Sequence, residues 1–498
     1  YIQADVDVAA DPWWCLSAGM EGSAGLDIDI TIDFWIFDIE IELVDWETPP
    51  IGDSVDLGCA EGPAPSQQAG GSGGEAAIAT FARSYGGDNL DGFTAILPTD
   101  DGGALVAGST NSFSPTPRDA WLVKVDALGH VGWQLAYGDL DGATDLVDMG
   151  DGYLVTAGRL GATVDTIDLV RIDDNGAVLW ARRYGHPDGV GPARVVRAQD
   201  GGFLVAGTLS LTSSADFFAA RFDAAGELLW ARTYGGADGD EAWAAVATSD
   251  GGFLLVGDTS SFGVTYTAIW AVKLDGDGDV EWQRVFDQGG VGSGYAAVES
   301  PLGGYLIGGH IVGAGLLLRL AANGSVTWAR YYDAGSDNDY LMAAAVYPDG
   351  SFGAIGSRGL GAGSDLWALR ISDPGNVLWS RAIGGADHES TGGSPPSDRA
   401  GQPVAVTADG GLLAGGKTES WGTGFDDAWL LKLTHNGFIE LEPASGATST
   451  ALAGSLSTIN LAGAATSVTP ADLALGEGPV EVERFSTQAG VLLQGGPP

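Results

Sequence analysis

Apolar and small residues alternate along most of this chain with a period of two, and no stretch sustains a helical period. The alternating runs are short. They are bounded by glycine-rich punctuation such as Asp101-Gly-Gly103, Asp200-Gly-Gly202 and Asp250-Gly-Gly252. Short strands cut by turn chemistry predict an all-β chain without helices.

Four landmarks recur in fixed order. First comes an Asp-Gly-Gly-like turn feeding an apolar strand that ends at Gly108, Gly158, Gly207, Gly257, Gly309, Gly356 or Gly415. Next is a strand with a basic residue near its end: Lys124, Arg171, Arg221, Lys273, Arg319, Arg370 or Lys432. A short Asp-x-x-Gly turn follows, clearest at Asp126–Gly129, Asp173–Gly176, Asp223–Gly226 and Asp275–Gly278. Last is a strand with tryptophan four residues beyond that glycine, at Trp133, Trp180, Trp230, Trp282, Trp328 and Trp379. Each unit of about fifty residues thus holds four strands, a to d from the centre outward, which is one propeller blade. Blade 4 is expected at 240–249, 252–258, 268–275 and 279–286.

Strands a, b and c occur seven times, but d has eight candidates. The surplus copy, Phe81-Ala-Arg-Ser-Tyr-Gly-Gly87, precedes the first a strand. A closed ring removes exposed sheet edges, so residues 78–85 are expected to complete blade 7 beside 428–434. The expected fold is a seven-bladed β-propeller with a small N-terminal acidic β module and a C-terminal β-rich tail. Its expected segments are a module at 1–62, a linker at 63–77, the propeller at 78–442 and the tail at 443–498.

These landmarks resemble the bacterial and archaeal secreted propeller repeats of the type DGGFLVAG…DAWLVKLD..G.V.W.R.YGG. The resemblance covers roughly residues 78–440. It implies an exported or cell-surface protein and says little about chemistry. The Asp-x-x-Gly-x-x-x-Trp spacing is also similar to the docking repeat of quinoprotein dehydrogenases. That repeat has one more residue between Asp and Gly, and those enzymes have eight blades.

Charge narrows the class. The 498 residues include 66 acidic and 22 basic ones, a net charge of −44. Phosphate binding needs a basic footprint, so no nucleic-acid partner is expected. The acidic surface fits a salty extracellular medium and attracts cations. Six strand-d arginines (Arg83, Arg182, Arg232, Arg284, Arg330, Arg381) and the seven strand-c cations are locked to the repeat. Repeat-locked charges serve the scaffold, and Asp119, Asp216, Asp365 and Asp427 at the c-strand starts are their expected partners. The repeated tryptophans are read as inter-blade packing, with the indole N–H bonded to a neighbour. The 80 glycines supply turns, and no apolar run is long enough to span a bilayer, so a soluble chain is expected.

Both cysteines, Cys15 and Cys59, lie in the N-terminal module. A disulfide between them is expected in an oxidising compartment. The chain begins at Tyr1 and is expected to be processed or partial. Within the module, 26–34 is apolar at even positions and 39–43 at odd ones, which predicts a bulge or bend near 34–37. Short tail strands are expected at 456–461 and 479–486. They would cover a propeller face, form a hairpin or join a partner by strand addition.

Asp275-Gly-Asp-Gly-Asp279 is the sharpest local motif. Alternating carboxylates in a glycine loop can wrap calcium through Asp275, Asp277 and Asp279, although the loop departs from an EF-hand. The insertion at 384–402 carries Asp387, His388, Glu389, Asp398 and Arg399. His388 and Glu389 are candidate metal ligands there, against the reading of a flexible surface loop. No catalytic signature appears, and the five histidines are scattered. The first reading is therefore a non-enzymatic extracellular module for structure, assembly or adhesion, with self-assembly or a protein partner engaged through the terminal β segments. Its alternatives are a calcium-dependent ligand- or glycan-binding adhesin, and a hydrolase or lyase on a propeller scaffold.

Overall fold

The computed structural model describes 79–439 except 114–117, 139, 159–165, 211–213, 288, 334–338, 359–363, 392–400 and 422–424. It also gives the backbone of separate strands within 2–61 and 448–486. The chain forms two compact units, Tyr1–Ala76 and Ala77–Pro498.

In the first unit, Ile2–Asp7, Trp13–Met20 and Ser54–Glu61 make a three-stranded antiparallel sheet. Its register sets Cys15 opposite Cys59. Their side chains, and with them the expected disulfide, lie outside the described residues. A separate hairpin pairs Ile30–Phe34 with Phe37–Ile41, Phe34 opposite Phe37. The change of phase is therefore a strand reversal rather than a bulge within one strand. Reversal sets Ile30 opposite Ile41 and Ile32 opposite Ile39, which keeps the apolar positions of both strands on one face.

The second unit is a ring of seven antiparallel sheets, and helices are absent from its described residues. Blade 4 is typical, with a, b, c and d at Asp240–Ala247, Phe253–Thr259, Ala268–Leu274 and Val280–Phe286. Phe81–Tyr85 is the outer strand of blade 7, antiparallel to Asp427–Leu433. The described strands of the tail neither cover a propeller face nor form a hairpin of their own. Thr448–Ala451, Ser455–Thr458, Ala464–Ala465, Ala471–Asp472, Gly476–Gly478 and Arg484–Ser486 pair one after another with strand d of blades 6, 5, 4, 3, 2 and 1. The tail is thus a belt on the outer edges of its own blades.

Each residue of the repeat has a local cause. In the a–b turn of blade 4, Gly251 has φ +90. A Cβ on Gly252 would lie 2.5 Å from Lys273 Nζ. The glycine leaves room for that lysine, which reaches Asp250 at 2.9 Å with its side chain 1% exposed. Lys124, Arg171, Arg221, Arg370 and Lys432 likewise meet Asp101, Asp151, Asp200, Asp349 and Asp409 of the a–b turns. Arg319 instead reaches Asp373 of the next blade at 2.9 Å. These are not the expected partners. The strand-c cation stands at the far end of its strand from Asp119, Asp216, Asp365 and Asp427, beside the a–b turn. The carboxylates at the strand starts have another place: a Cβ on Gly86, Gly235 or Gly384 would fall 1.8, 2.1 or 2.0 Å from Asp427, Asp216 or Asp365. That crowding explains the first glycine of each Gly-Gly pair.

Strand d clasps the c–d hairpin of the following blade. From blade 3, the Trp230 ring lies where a Cβ on Gly278 would be, 2.8 Å away. Arg232 donates to Asp279 at 2.7 Å, and the Tyr234 hydroxyl donates to the Gly278 carbonyl at 2.7 Å. The indoles of Trp282, Trp328 and Trp379 donate to the carbonyls of Ala322, Asp373 and His435 in their following blades. The ring closes by the same device. Phe81 packs on Gly129, Arg83 donates to the Leu128 carbonyl at 2.8 Å, and Tyr85 donates to the Gly129 carbonyl at 2.7 Å.

Denaturant unfolding separates these contributions. Tyr234→Phe is expected to cost about 1 kcal/mol, the net worth of one hydrogen bond. Gly278→Ala is expected to cost at least about 2 kcal/mol, because its backbone is left-handed and its methyl meets the indole. Asp409→Ala strands the buried Lys432 and is expected to cost about 3 kcal/mol. Arg232→Met, which removes a pair whose carboxylate is exposed to water, is expected to stay within about 1 kcal/mol.

Candidate binding site at the channel mouth

The repeat-locked cations and tryptophans belong to the scaffold just described. The other sequence candidates fall as follows. Asp275 accepts the backbone N–H groups of Asp277 and Asp279, each at 2.9 Å, and so caps its own turn. Asp279 also takes Arg232, while Asp277 is exposed. No group of three or more His, Cys, Asp or Glu side chains among the described residues is placed to hold a metal ion.

The 384–402 insertion opens with exposed residues at 385–387 and is buried at 389–391. Glu389 is fully buried and pairs, with Ser390, to strand b of blade 7. It accepts the Thr418 hydroxyl at 2.9 Å and the Gly385 N–H at 2.8 Å. Asp91 and Asp240 hold the equivalent Gly87 and Gly236 N–H groups. Glu389 is therefore a scaffold acceptor, and His388 contacts the Ser364 hydroxyl. The chain returns at Gln402, whose side chain donates to the Ala344 carbonyl of blade 6 at 2.6 Å and accepts from Arg194 of blade 3 at 2.9 Å. Its carbonyl accepts the Ile96 N–H of blade 1 at 3.0 Å. A residue bonded to inner strands on several sides of the ring lies across the central channel. Arg194 also pairs with the buried Asp145 at 3.2 Å.

What breaks the repeat lies in one sector of the ring, within the inner strands. Strand a of blades 1 to 6 carries a one-residue register shift, at Thr94, Thr144, Ala193, Trp243, Tyr295 and Met342. A bulge re-aims the side chain it carries. In blades 1 to 3 that residue is small. In blades 4 to 6 it is large, and Trp243, Tyr295 and Met342 pack together with Tyr340. The Trp243 and Tyr295 rings meet edge to face at 5.8 Å. His310 lies parallel to Tyr295 at 5.5 Å and tilted against Tyr340 at 4.7 Å.

Two carboxylates border this arc. Glu241 and Asp258 stand opposite each other in register, and the Trp243 indole donates to Asp258. Burial, with Glu241 and Asp240 adding, pushes the Asp258 carboxyl up to about 7. Burial pushes His310 down to about 4, so the ring is neutral. The imidazole is 7% exposed and its Nδ1 is buried without a hydrogen-bond partner. The sequence did carry a signal for these residues. The position after the strand-b glycine reads Ser109, Thr208, Asp258, His310 and Ser357 in blades 1 and 3 to 6. A variable position inside a fixed repeat marks what the scaffold leaves open.

No family model and no curated protein matches the sequence. Among solved structures, the chain is similar to a protein of unknown function from Dyadobacter fermentans DSM 18053. The identity is 12%, over 70% of this chain and 98% of that one, with a TM-score of 0.36. It is similar also to Sqt1 from Chaetomium thermophilum, at 11% identity over 71% and 99% of the two chains, with a TM-score of 0.37.

A carboxyl whose folded pKa is raised keeps a proton that the unfolded chain has lost. Between about pH 4 and 7 the folded state then binds more protons, and its stability falls as pH rises. Asp258 and Asp216, the latter raised by burial and Asp240 to about 6, act in this sense. His310, held neutral, acts in the opposite sense below about pH 6.5. Thermal melts from pH 7.5 to 5 are therefore expected to show the wild type gaining stability relative to Asp258→Asn.

Proposed function

We propose that this protein is a non-enzymatic, exported propeller that acts as an adhesion or structural module and holds its ligand at the channel mouth of blades 4 to 6. The break in the repeat carries this reading. Three consecutive inner strands place Trp243, Tyr295 and Met342 where blades 1 and 2 place Thr94 and Thr144. Aromatic walls with a few fixed polar groups are the usual make-up of a binding site. The net charge of −44 supports an exported setting, since such a surface stays apart in a salty medium.

Self-assembly through the C-terminal strands loses its motive, because those strands occupy edges of their own blades. Assembly by strand addition then falls to the N-terminal unit. Calcium at Asp275, Asp277 and Asp279 is a separate proposal. It requires Arg232 to release Asp279, so calcium titration of Arg232→Met is expected to give the tighter binding of the two forms. A hydrolase or lyase is the second reading, favoured by the raised Asp258 carboxyl near the neutral His310.

The test of the main reading is retention of a ligand from arrays of glycans, amines and peptides by the full chain. Trp243→Ala is expected to weaken retention at least tenfold with the propeller still folded by circular dichroism. Equal retention by both proteins would sink the reading. Chemical turnover of the retained ligand would move the protein to the enzymatic one.

A further inference from the structure

We propose that the channel mouth of blades 4 to 6 binds a protonated aliphatic amine carrying at least one N–H. This rests on the binding reading above and adds the class of ligand.

Three kinds of group converge on such a cation. The rings of Trp243, Tyr295 and Tyr340 belong to one cluster, and the faces of aromatic rings attract ammonium groups. Glu241 and Asp258 face each other across two strands of blade 4. Like charges directly opposed repel, and a cation between them relieves this. The third group is His310, stacked beside Tyr295 with its buried Nδ1 lacking a partner. With the ring proton on Nε2, Nδ1 is a buried acceptor that lacks a donor.

An ammonium N–H meets all three requirements. A quaternary ammonium would satisfy the rings and carboxylates but leave Nδ1 unpaired. A neutral sugar would stack on the rings and give hydroxyls to the carboxylates, but it carries no charge to offset their repulsion. The indole N–H of Trp243 is already given to Asp258, so the site offers mainly acceptors. The net charge of −44 raises the local concentration of cations at the mouth.

The experiment is titration calorimetry on the full chain, with Trp fluorescence as a second readout. The probes are 1,5-diaminopentane, Nα-acetyl-lysine methylamide, choline and a panel of neutral monosaccharides. Binding of either primary amine is expected, with choline at least fivefold weaker and no heat from the sugars. Tighter binding of the diamine points to small free amines as the source; tighter binding of the lysine derivative points to a protein partner. Either result supports the proposal. Asp258→Asn and His310→Phe are each expected to weaken amine binding at least tenfold. Should one fail to fold, Glu241→Gln serves in its place, with the same expected direction. Sugar binding without amine binding, or amine binding untouched by these substitutions, overturns the amine assignment and leaves the binding reading standing. No heat from any probe, together with equal array retention by wild type and Trp243→Ala, overturns both.

Discussion

The propeller depends on one contact made between neighbouring blades: the outer strand of one blade gripping the c–d hairpin of the next. A blade alone is a small twisted sheet with apolar faces on both sides, and it gains stability only by covering those faces. The grip fixes how the faces meet. A ring packed on a hairpin glycine sets the spacing. A tyrosine hydroxyl on that glycine's carbonyl sets the angle, and an arginine on the hairpin rim keeps water off the indole edge. Because Phe81, Arg83 and Tyr85 make the same kind of grip on Gly129 and Leu128, the ring is closed where the chain enters it by the contact that joins its other blades.

Much of this was legible in the sequence because it is repeated. A residue that recurs at fixed spacing announces that every blade needs it. Trp230 and its equivalents could therefore be read as packing before any contact was known. The wrong assignments were those that needed distance along a strand. Lys273 and its equivalents were given to carboxylates at the opposite end of strand c, although the turn aspartate two strands away in the sheet is the nearer neighbour. Glu389 looked like a ligand in a loop because the insertion hid that it begins strand a. The phase change near Phe34 looked like a bulge because a tight reversal and a slip give the same pattern in one dimension.

The arc at the channel mouth was illegible for the opposite reason. Trp243 and Asp258 come from blade 4 and Tyr295 and His310 from blade 5, each occurs once, and only the packing of one blade on the next brings them together. Repetition identifies the scaffold, and departures from it show where the scaffold imposes no residue. The two populations also differ in physical character. Scaffold charges are met at close range, as Lys432 is by Asp409 at 2.7 Å. The arc instead keeps a raised carboxyl, a neutral imidazole and an open acceptor in one small region.

The belt has a consequence for how the molecule comes into being. Its six strands run from blade 6 back to blade 1 and lie in the last tenth or so of the sequence. A chain made or translocated from its N-terminus therefore completes every blade before any belt strand emerges. Until then six outer strands present bare backbone, to one another and to neighbouring chains. The belt strands thus cover those edges in the reverse of the order in which the six blades are made, as a chaperone carried in the same chain would.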